Sequence, residues 1–467
     1  MPNFIKSIKA EGVLGRFDIY QEFQEGINVL FGRNGTGKTT LLHILANLLN
    51  GDYKRFAFID FKSIKVQLNN GTDIAILKRE IEKDSYIDVT ISNEALKSFS
   101  IKEIIAEEQE RLREERLLAP NFYIYREKIV REQDNESINP ILSVAYFPAF
   151  RTMIEAWTSS VRYRTNSLIK NRLLSTNFAR DLFGSFVPSL DYPSLIEIEY
   201  ELSREINAVV LEVAKADGKY FGDSISSIFQ VLSKNSRLSE ESENILEEID
   251  SLARKLEDYP LKIATEIKQL RHLGASFEEN DQSNRVTDSG LDIYRDALNI
   301  YRDNLNKMIA VQESSFKGIE TYLNSVNSFL EGKSIEVSLE GNSSRSEKSV
   351  QIKFNEENSN KSHSIRRVLS SGEREIVTLI YAATHMSKQQ VVLIDEPEIS
   401  LHVDWQRYLL QKMSEQLGDR QIIVCTHSPV IGADYEEQLM IFEPKIVYSC
   451  KSPIDNELVE EDSEVIF

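Results

Sequence analysis

The chain has 467 residues, with 55 Lys plus Arg against 74 Asp plus Glu, a formal net charge of −19. That length allows two or three domains, and 41% hydrophobic with 28% charged residues fits an ordinary soluble protein with its own core. No run approaches the ~20 apolar residues of a membrane helix. Met1–Tyr20 lacks a signal-peptide block, and two cysteines, Cys425 and Cys450, offer no disulfide framework, so a cytoplasmic setting is expected, without membrane contact.

Phe4–Val13 and Phe17–Phe31 read as short alternating strands closing on the apolar run 27–31. A glycine-rich turn follows, then a helix from Lys38 to Leu49, with Leu41, Leu42, Ile44, Leu45, Leu48 and Leu49 at helical spacing. Strand-like material recurs at Phe56–Leu68 and Tyr86–Ile91, a charged helical pattern at Ile101–Lys128, and a short buried strand at Ile141–Tyr146. From Ser159 to Gly332 the pattern is helical and polar, with Leu246, Ile249, Leu252 and Leu256, then Leu291, Tyr294, Leu298, Tyr301, Leu305 and Ile309, at threes and fours. This suggests an antiparallel pair of arms turning at 278–290, partly coiled-coil in character. Strands resume at Ser334–Leu339 and Val350–Phe354, and Ile365–Tyr448 alternates helix and strand. The expected domains are 1–158, 159–332 (a helical insertion) and 333–467, two strand-rich lobes of one head flanking the insertion.

Gly32-Arg33-Asn34-Gly35-Thr36-Gly37-Lys38-Thr39 satisfies GxxxxGK[ST] between a strand and a helix, the context a phosphate-binding loop requires. Its glycines let backbone N–H groups converge on phosphate oxygens. Lys38 would reach the β- and γ-phosphates, and the Thr39 hydroxyl would ligate Mg²⁺, with Thr40 next in the same turn. Val391-Val392-Leu393-Ile394-Asp395-Glu396 is an apolar strand ending in two acids: Asp395 would hold Mg²⁺, and Glu396 would polarise an attacking water.

Leu369-Ser370-Ser371-Gly372-Glu373 is by itself a helix N-cap. Beside the other motifs it resembles the ABC signature, which implies that Ser370, Ser371, Gly372 and Glu373 contact the γ-phosphate of ATP held by another subunit. His427, ending the apolar strand 422–426, resembles a switch histidine that senses the γ-phosphate. Together the motifs resemble the ABC-type ATPases related to SMC and RecF heads, in particular the OLD-like branch. Asp395-Glu396-Pro397-Glu398-Ile399-Ser400-Leu401-His402 follows that branch's DEPExxLH pattern, with Val403 where Pro is usual. Tyr146-Phe147-Pro148-Ala149-Phe150-Arg151 resembles the YxPxxR segment of small anti-phage ATPases, those of the PARIS and Septu systems. No Q-loop glutamine follows the P-loop at the expected point, and Arg151 is offered as its substitute near the nucleotide. The residues after His427, numbers 428–467, are too few for the Toprim nuclease of full OLD proteins.

The resemblance implies an α/β fold, an ABC-type P-loop head interrupted by an all-helical insertion, with ATP and Mg²⁺ as ligands. It also implies a homo-oligomer, at least a dimer and up to a hexamer, because signature and P-loop meet only between subunits. Six scattered histidines form no HNH or zinc spacing, so a toxic step would belong to a separate Toprim-like or HNH effector nuclease, released on a phage-encoded trigger. The alternative is a RecF-like DNA repair ATPase, which the net charge disfavours because a coat of phosphate needs a basic footprint. One local basic stretch stands out for effector, trigger or direct nucleic-acid binding: Arg151, Arg162, Arg164, Lys170, Arg172 and Arg180 against a single acid, Glu155. Residues 452–467 form the opposite, an acidic tail.

Overall fold

The computed structural model describes residues 3–82, 84–92, 94–118, 140–154, 168–232, 251–252, 288–338, 349–354, 363–364, 368–384 and 389–447. Strands β1 (Ile5–Val13), β2 (Phe17–Glu22) and β3 (Ile27–Phe31) lead into α1 (Lys38–Leu49). A 3-10 turn (Tyr53–Phe58) precedes β4 (Ser63–Leu68), β5 (Asp73–Ile81), β6 (Asp84–Ile91), β7 (Glu94–Ser100), α2 (Ile101–Leu118), β8 (Val144–Phe147) and α3 (Leu168–Phe183). Next come α4 (Leu195–Leu232), α5 (Asp288–Asn327), β9 (Lys333–Ser338), β10 (Ser349–Phe354), β11 (His363–Ser364) and α6 (Ser371–Ala383). The chain continues through β12 (Val391–Asp395), α7 (Val403–Ser414), β13 (Gln421–Thr426), β14 (Leu439–Ile441) and β15 (Lys445–Ile446).

Contacts divide the chain into two compact units: Met1–Asp191 with Gln389–Ile399 and Asp419–Phe467, and Tyr192–Lys388 with Ser400–Gly418. The expected boundaries at 158/159 and 332/333 do not coincide with this division. The first unit carries a five-stranded sheet in the order β14-β3-β13-β12-β8, each neighbouring pair parallel. Every residue of β12 and β13 is buried, as expected of parallel strands covered on both faces. Helix α1 covers part of that sheet. Its residues Leu41, Leu42, Ile44, Leu45, Leu48 and Leu49 are all fully buried, each contributing about 1.5–3 kcal/mol.

The second sheet of this unit is antiparallel, in the order β15-β2-β1-β4-β5-β6-β7, and shows the alternating burial of a half-covered sheet. Gln421, at the start of β13, ties the two sheets together. Its carboxamide accepts from the Ile5 N–H and donates to the Ile5 carbonyl, both at 2.9 Å, which satisfies a fully buried amide.

In the second unit α4 and α5 pack along one another. Asn304 reaches the Tyr220 carbonyl at 3.5 Å, while Tyr381 of α6 lies near Glu201 and meets Tyr322 edge-on at 5.7 Å. The late part of α4 thus meets the early part of α5, and Tyr381 links the early part of α4 to the late part of α5, so the helices run antiparallel. Tyr322 also donates to the Val377 carbonyl at 3.1 Å, anchoring α6 on α5. A small sheet in the order β11-β10-β9 completes the unit.

Several expectations need correction. Phe56 and its neighbours form the 3-10 turn rather than a strand, and β5 and β7 had no counterpart in the sequence reading. Three basic side chains of the stretch are described, and none of them is an open surface charge. Arg151 and Arg180 are 3% and 5% exposed, Arg180 donating to Asp52 at 2.9 Å and to the Val187 carbonyl at 2.9 Å, and Arg172 pairs with Asp191. Arg151 and Arg180 are buried and Arg172 is half-buried, and all three are engaged within the first unit. Arg162 and Arg164, the arm turn at 278–287, the repeat 253–256 with Leu246 and Ile249, Cys450 and the acidic tail lie outside the described residues.

Candidate active site

Parallel strands present their C-terminal ends at one edge of the sheet, and there the loops after β3, β8, β12 and β13 converge. The loop after β3 turns through Gly35 (φ +77°) and Gly37 (φ +94°), a backbone region open to glycine. Gly37 occupies the N-cap position of α1 without a side-chain cap, so the first N–H groups of the helix remain available to an anion. A Cβ on Gly32 would stand 3.0 Å from the Phe442 carbonyl oxygen, which keeps this position small.

Lys38 is 5% exposed and folds its ammonium back over the loop. It donates to the carbonyls of Gly32 (2.7 Å) and Arg33 (3.2 Å) and lies 3.5 Å from a carboxylate oxygen of Glu396. The next residue, Thr39, donates its hydroxyl to Asp395 Oδ2 at 2.8 Å, joining α1 to the end of β12. The second oxygen, Asp395 Oδ1, is buried without a hydrogen-bond partner. An orphan carboxylate oxygen beside a threonine hydroxyl is a hard, all-oxygen donor set, and it fits Mg²⁺. Burial raises the Asp395 carboxyl to about 6, against the opposing pull of the Thr39 hydrogen bond, and the neighbouring Glu396 charge adds to the rise.

Glu396 sits at φ +49°, the left-handed region, which costs a non-glycine residue on the order of 1–3 kcal/mol. One of its carboxylate oxygens faces Lys38 and the other hydrogen-bonds His427 Nδ1. Burial raises its pKa. Its N–H donates to the Cys425 carbonyl at 2.8 Å. Glu398, two residues on and 8% exposed, aims one oxygen under the end of β13. That oxygen accepts from the Thr426 hydroxyl (2.6 Å), the His427 N–H (3.1 Å) and the Ser428 N–H (3.0 Å), and lies 3.1 Å from His427 Nδ1. With two carboxylates facing it, Nδ1 is the ring nitrogen that carries the proton.

These groups open on a cleft of about 510 Å³ walled by residues 34–40, Glu396 and His427, with Leu14 and Phe17 of the first hairpin on one side. Lys38, Thr39, Asp395, Glu396 and His427 are therefore brought together, with Asn34, Gly35, Thr36, Gly37 and Thr40 around them, while Gly32 and Arg33 underlie Lys38. Arg151 is not on the cleft wall, so it does not stand in for a Q-loop glutamine beside the nucleotide. It is buried behind the end of β12.

Ser370, Ser371, Gly372 and Glu373 belong to the second unit. Ser370 and Glu373 form a reciprocal capping box, and the Glu373 carboxylate accepts from the Ser370 N–H at 2.7 Å and from Lys333 at 2.8 Å. Glu373 is thus committed to shaping the turn, and Ser370 and Ser371 are the exposed side chains there. Gly372 is required sterically, since a Cβ would come within 2.7 Å of the Ser400 carbonyl oxygen. The sequence reading missed Leu14, Phe17 and Lys333. It quoted Glu398 within the acidic motif without giving it a task, although an acid two residues after Glu396 was the available signal.

A parallel α/β sheet with a glycine loop between β3 and α1, and with paired acids at the end of a neighbouring strand, defines a P-loop ATPase. The chain belongs to the AAA ATPase domain family, which it matches over residues 15–431. No curated protein matches the chain. Among solved structures it is similar to the Smc head domain of Pyrococcus furiosus with an extended coiled coil, solved with the C-terminal domain of ScpA: 13% identity over 95% of this chain and 96% of that one, TM-score 0.38. It is also similar to the recombination mediator protein RecF of the RecFOR pathway, solved as RecF-ATPrS, at 13% identity over 92% and 94% of the two chains, TM-score 0.32. The Smc head of Pyrococcus yayanosii matches at 13% identity over 93% and 94%, TM-score 0.33. No described helix is long and apolar enough to cross a membrane.

Proposed function

We propose that the protein is a Mg²⁺-dependent ATPase whose ATP is closed between two copies of the chain, and whose turnover governs a separate effector nuclease in anti-phage defence. The observation that carries the catalytic part is the meeting of Lys38, Thr39, Asp395, Glu396 and His427 around one cleft at the C-terminal edge of a parallel sheet. In this reading the N–H groups of 32–39 cradle the phosphates, Lys38 binds the β- and γ-phosphates, and Thr39 and Asp395 hold Mg²⁺. When bound, the ion neutralises charge that builds on the phosphate oxygens. Glu396 orients the attacking water and takes its proton, and His427, held at Nδ1 by Glu396 and Glu398, stands beside the γ-phosphate as the residue that senses it. Ser370, Ser371 and the N–H of Gly372 from a second copy complete the site, with Glu373 and Lys333 keeping their turn in shape.

The defence role rests on the sequence, on the DEPExxLH and YxPxxR resemblances. Differential affinity of ATP for the closed dimer would couple turnover to holding or releasing the effector. Mass photometry of wild type and Glu396→Gln with ATP and Mg²⁺, alone and with the product of the adjacent gene, tests it. A stable Glu396→Gln dimer or larger assembly that retains a nuclease is expected. A variant that stays monomeric with ATP refutes the shared site. An ATP-dependent dimer that retains no nuclease but binds duplex DNA with a steep salt dependence refutes the defence role in favour of a RecF-like one.

A further inference from the structure

Arg151 is 3% exposed, and its guanidinium gathers main-chain carbonyls from the turns after two neighbouring strands. One terminal nitrogen donates to Pro148 at 3.0 Å and to Asp395 at 3.1 Å, and the other to Glu396 and Pro397 at 3.4 Å each. It thus bonds three consecutive carbonyls of the turn that leaves β12, and it anchors them to the turn that leaves β8, the neighbouring parallel strand. The middle residue of the three is Glu396, in the left-handed region at φ +49°. A planar, permanently charged fork with five donors on separate nitrogens can span four carbonyls on two turns, whereas an ammonium has three donors on a single atom.

We propose that Arg151 is a positioning residue for ATP hydrolysis. By holding the Asp395–Pro397 carbonyls it keeps Glu396 in its left-handed backbone, and so keeps the Glu396 carboxylate between Lys38 and His427 at the cleft. A relaxed φ at Glu396 would swing that carboxylate away from both. The P-loop side chains that would bind the nucleotide are held by their own contacts, Lys38 on the Gly32 and Arg33 carbonyls and Thr39 on Asp395. This inference rests on the proposed role of Glu396.

The test uses the full-length chain and four proteins: wild type, Arg151→Ala, Arg151→Lys and Glu396→Gln. Steady-state ATP turnover is measured with Mg²⁺, and affinity is measured with a fluorescent ATP analogue. Arg151→Ala is expected to lose about a hundredfold in kcat, the scale of a 1 Å misplacement, with ATP affinity kept within about threefold. Millimolar methylguanidinium should restore at least about tenfold of that loss in Arg151→Ala and do nothing for Glu396→Gln. Arg151→Lys, which keeps the charge but not the fork, should also fall in kcat with unchanged KM, and it carries the test if the alanine variant does not fold. The proposal is overturned if both variants retain kcat within about threefold of wild type. It is equally overturned if kcat and ATP affinity fall together without guanidinium rescue. Normal turnover by Glu396→Gln would instead overturn the reading of Glu396 itself, whatever Arg151 does.

Discussion

Asp395 is 1% exposed, and its Oδ1 has no hydrogen-bond partner, so ionising it in the folded chain is costly. Its pKa rises from 3.8 to about 6, chiefly through burial. A rise of about two units corresponds to about 3 kcal/mol at 1.36 kcal/mol per unit. Because the folded value lies above the unfolded one, the folded state holds its proton more tightly, and stability is lost as pH climbs between the two values. Replacing Asp395 by Asn removes that loss. The carboxamide oxygen can still accept from the Thr39 hydroxyl, and the amide merely exchanges one unpartnered atom for another. In metal-free, nucleotide-free buffer, Asp395→Asn should therefore be more stable than wild type by about 3 kcal/mol at pH 8 and by about half that at pH 5. Urea unfolding, followed by the transition of the first unit, measures the difference at both pH values. Equal stabilities at pH 8, or a gap that grows toward acid, would refute the claim that this carboxylate is held at the expense of the fold. ATP turnover should disappear in the same variant, since stability and function oppose each other at such a site.

Other residues give sharper, single-readout expectations. Gly372→Ala drives a Cβ to 2.7 Å from the Ser400 carbonyl and should destabilise the second unit by about 1–3 kcal/mol in urea unfolding; an unchanged midpoint would contradict the packing described. Arg180→Leu leaves the buried Val187 carbonyl without its donor and Asp52 with Arg55 alone, and a loss of about 3 kcal/mol is expected by the same assay. Glu398→Gln keeps an acceptor under β13 but removes the charge beside His427. It should lower kcat about tenfold, or 1.4 kcal/mol, while ATP affinity stays near wild type, and steady-state kinetics would expose any opposite pattern.

Much of the chemistry was readable from spacing. The glycines of 32–37, the helix that Lys38 opens and the apolar strands before Glu396 and His427 are local patterns, and local patterns report backbone geometry directly. Other features misled for equally local reasons. A run of arginines looks the same in sequence whether it faces water or, as with Arg151 and Arg180, satisfies buried carbonyls. The strand β7 went unseen because most of its residues are exposed and break the apolar alternation on which the reading relies.

By itself the sequence determined an α/β chain with a P-loop, a pair of acids at a strand end, a histidine at another strand end and a long helical stretch, because each is encoded in a few neighbouring residues. Tertiary structure decided the rest. The strand order β14-β3-β13-β12-β8 places Thr39 within 2.8 Å of Asp395 across 356 residues, aims Glu398 beneath His427, and sets Arg151 behind Glu396. Those pairings depend on which strands lie side by side, and the periodicity of a strand says how it is buried without naming its neighbour.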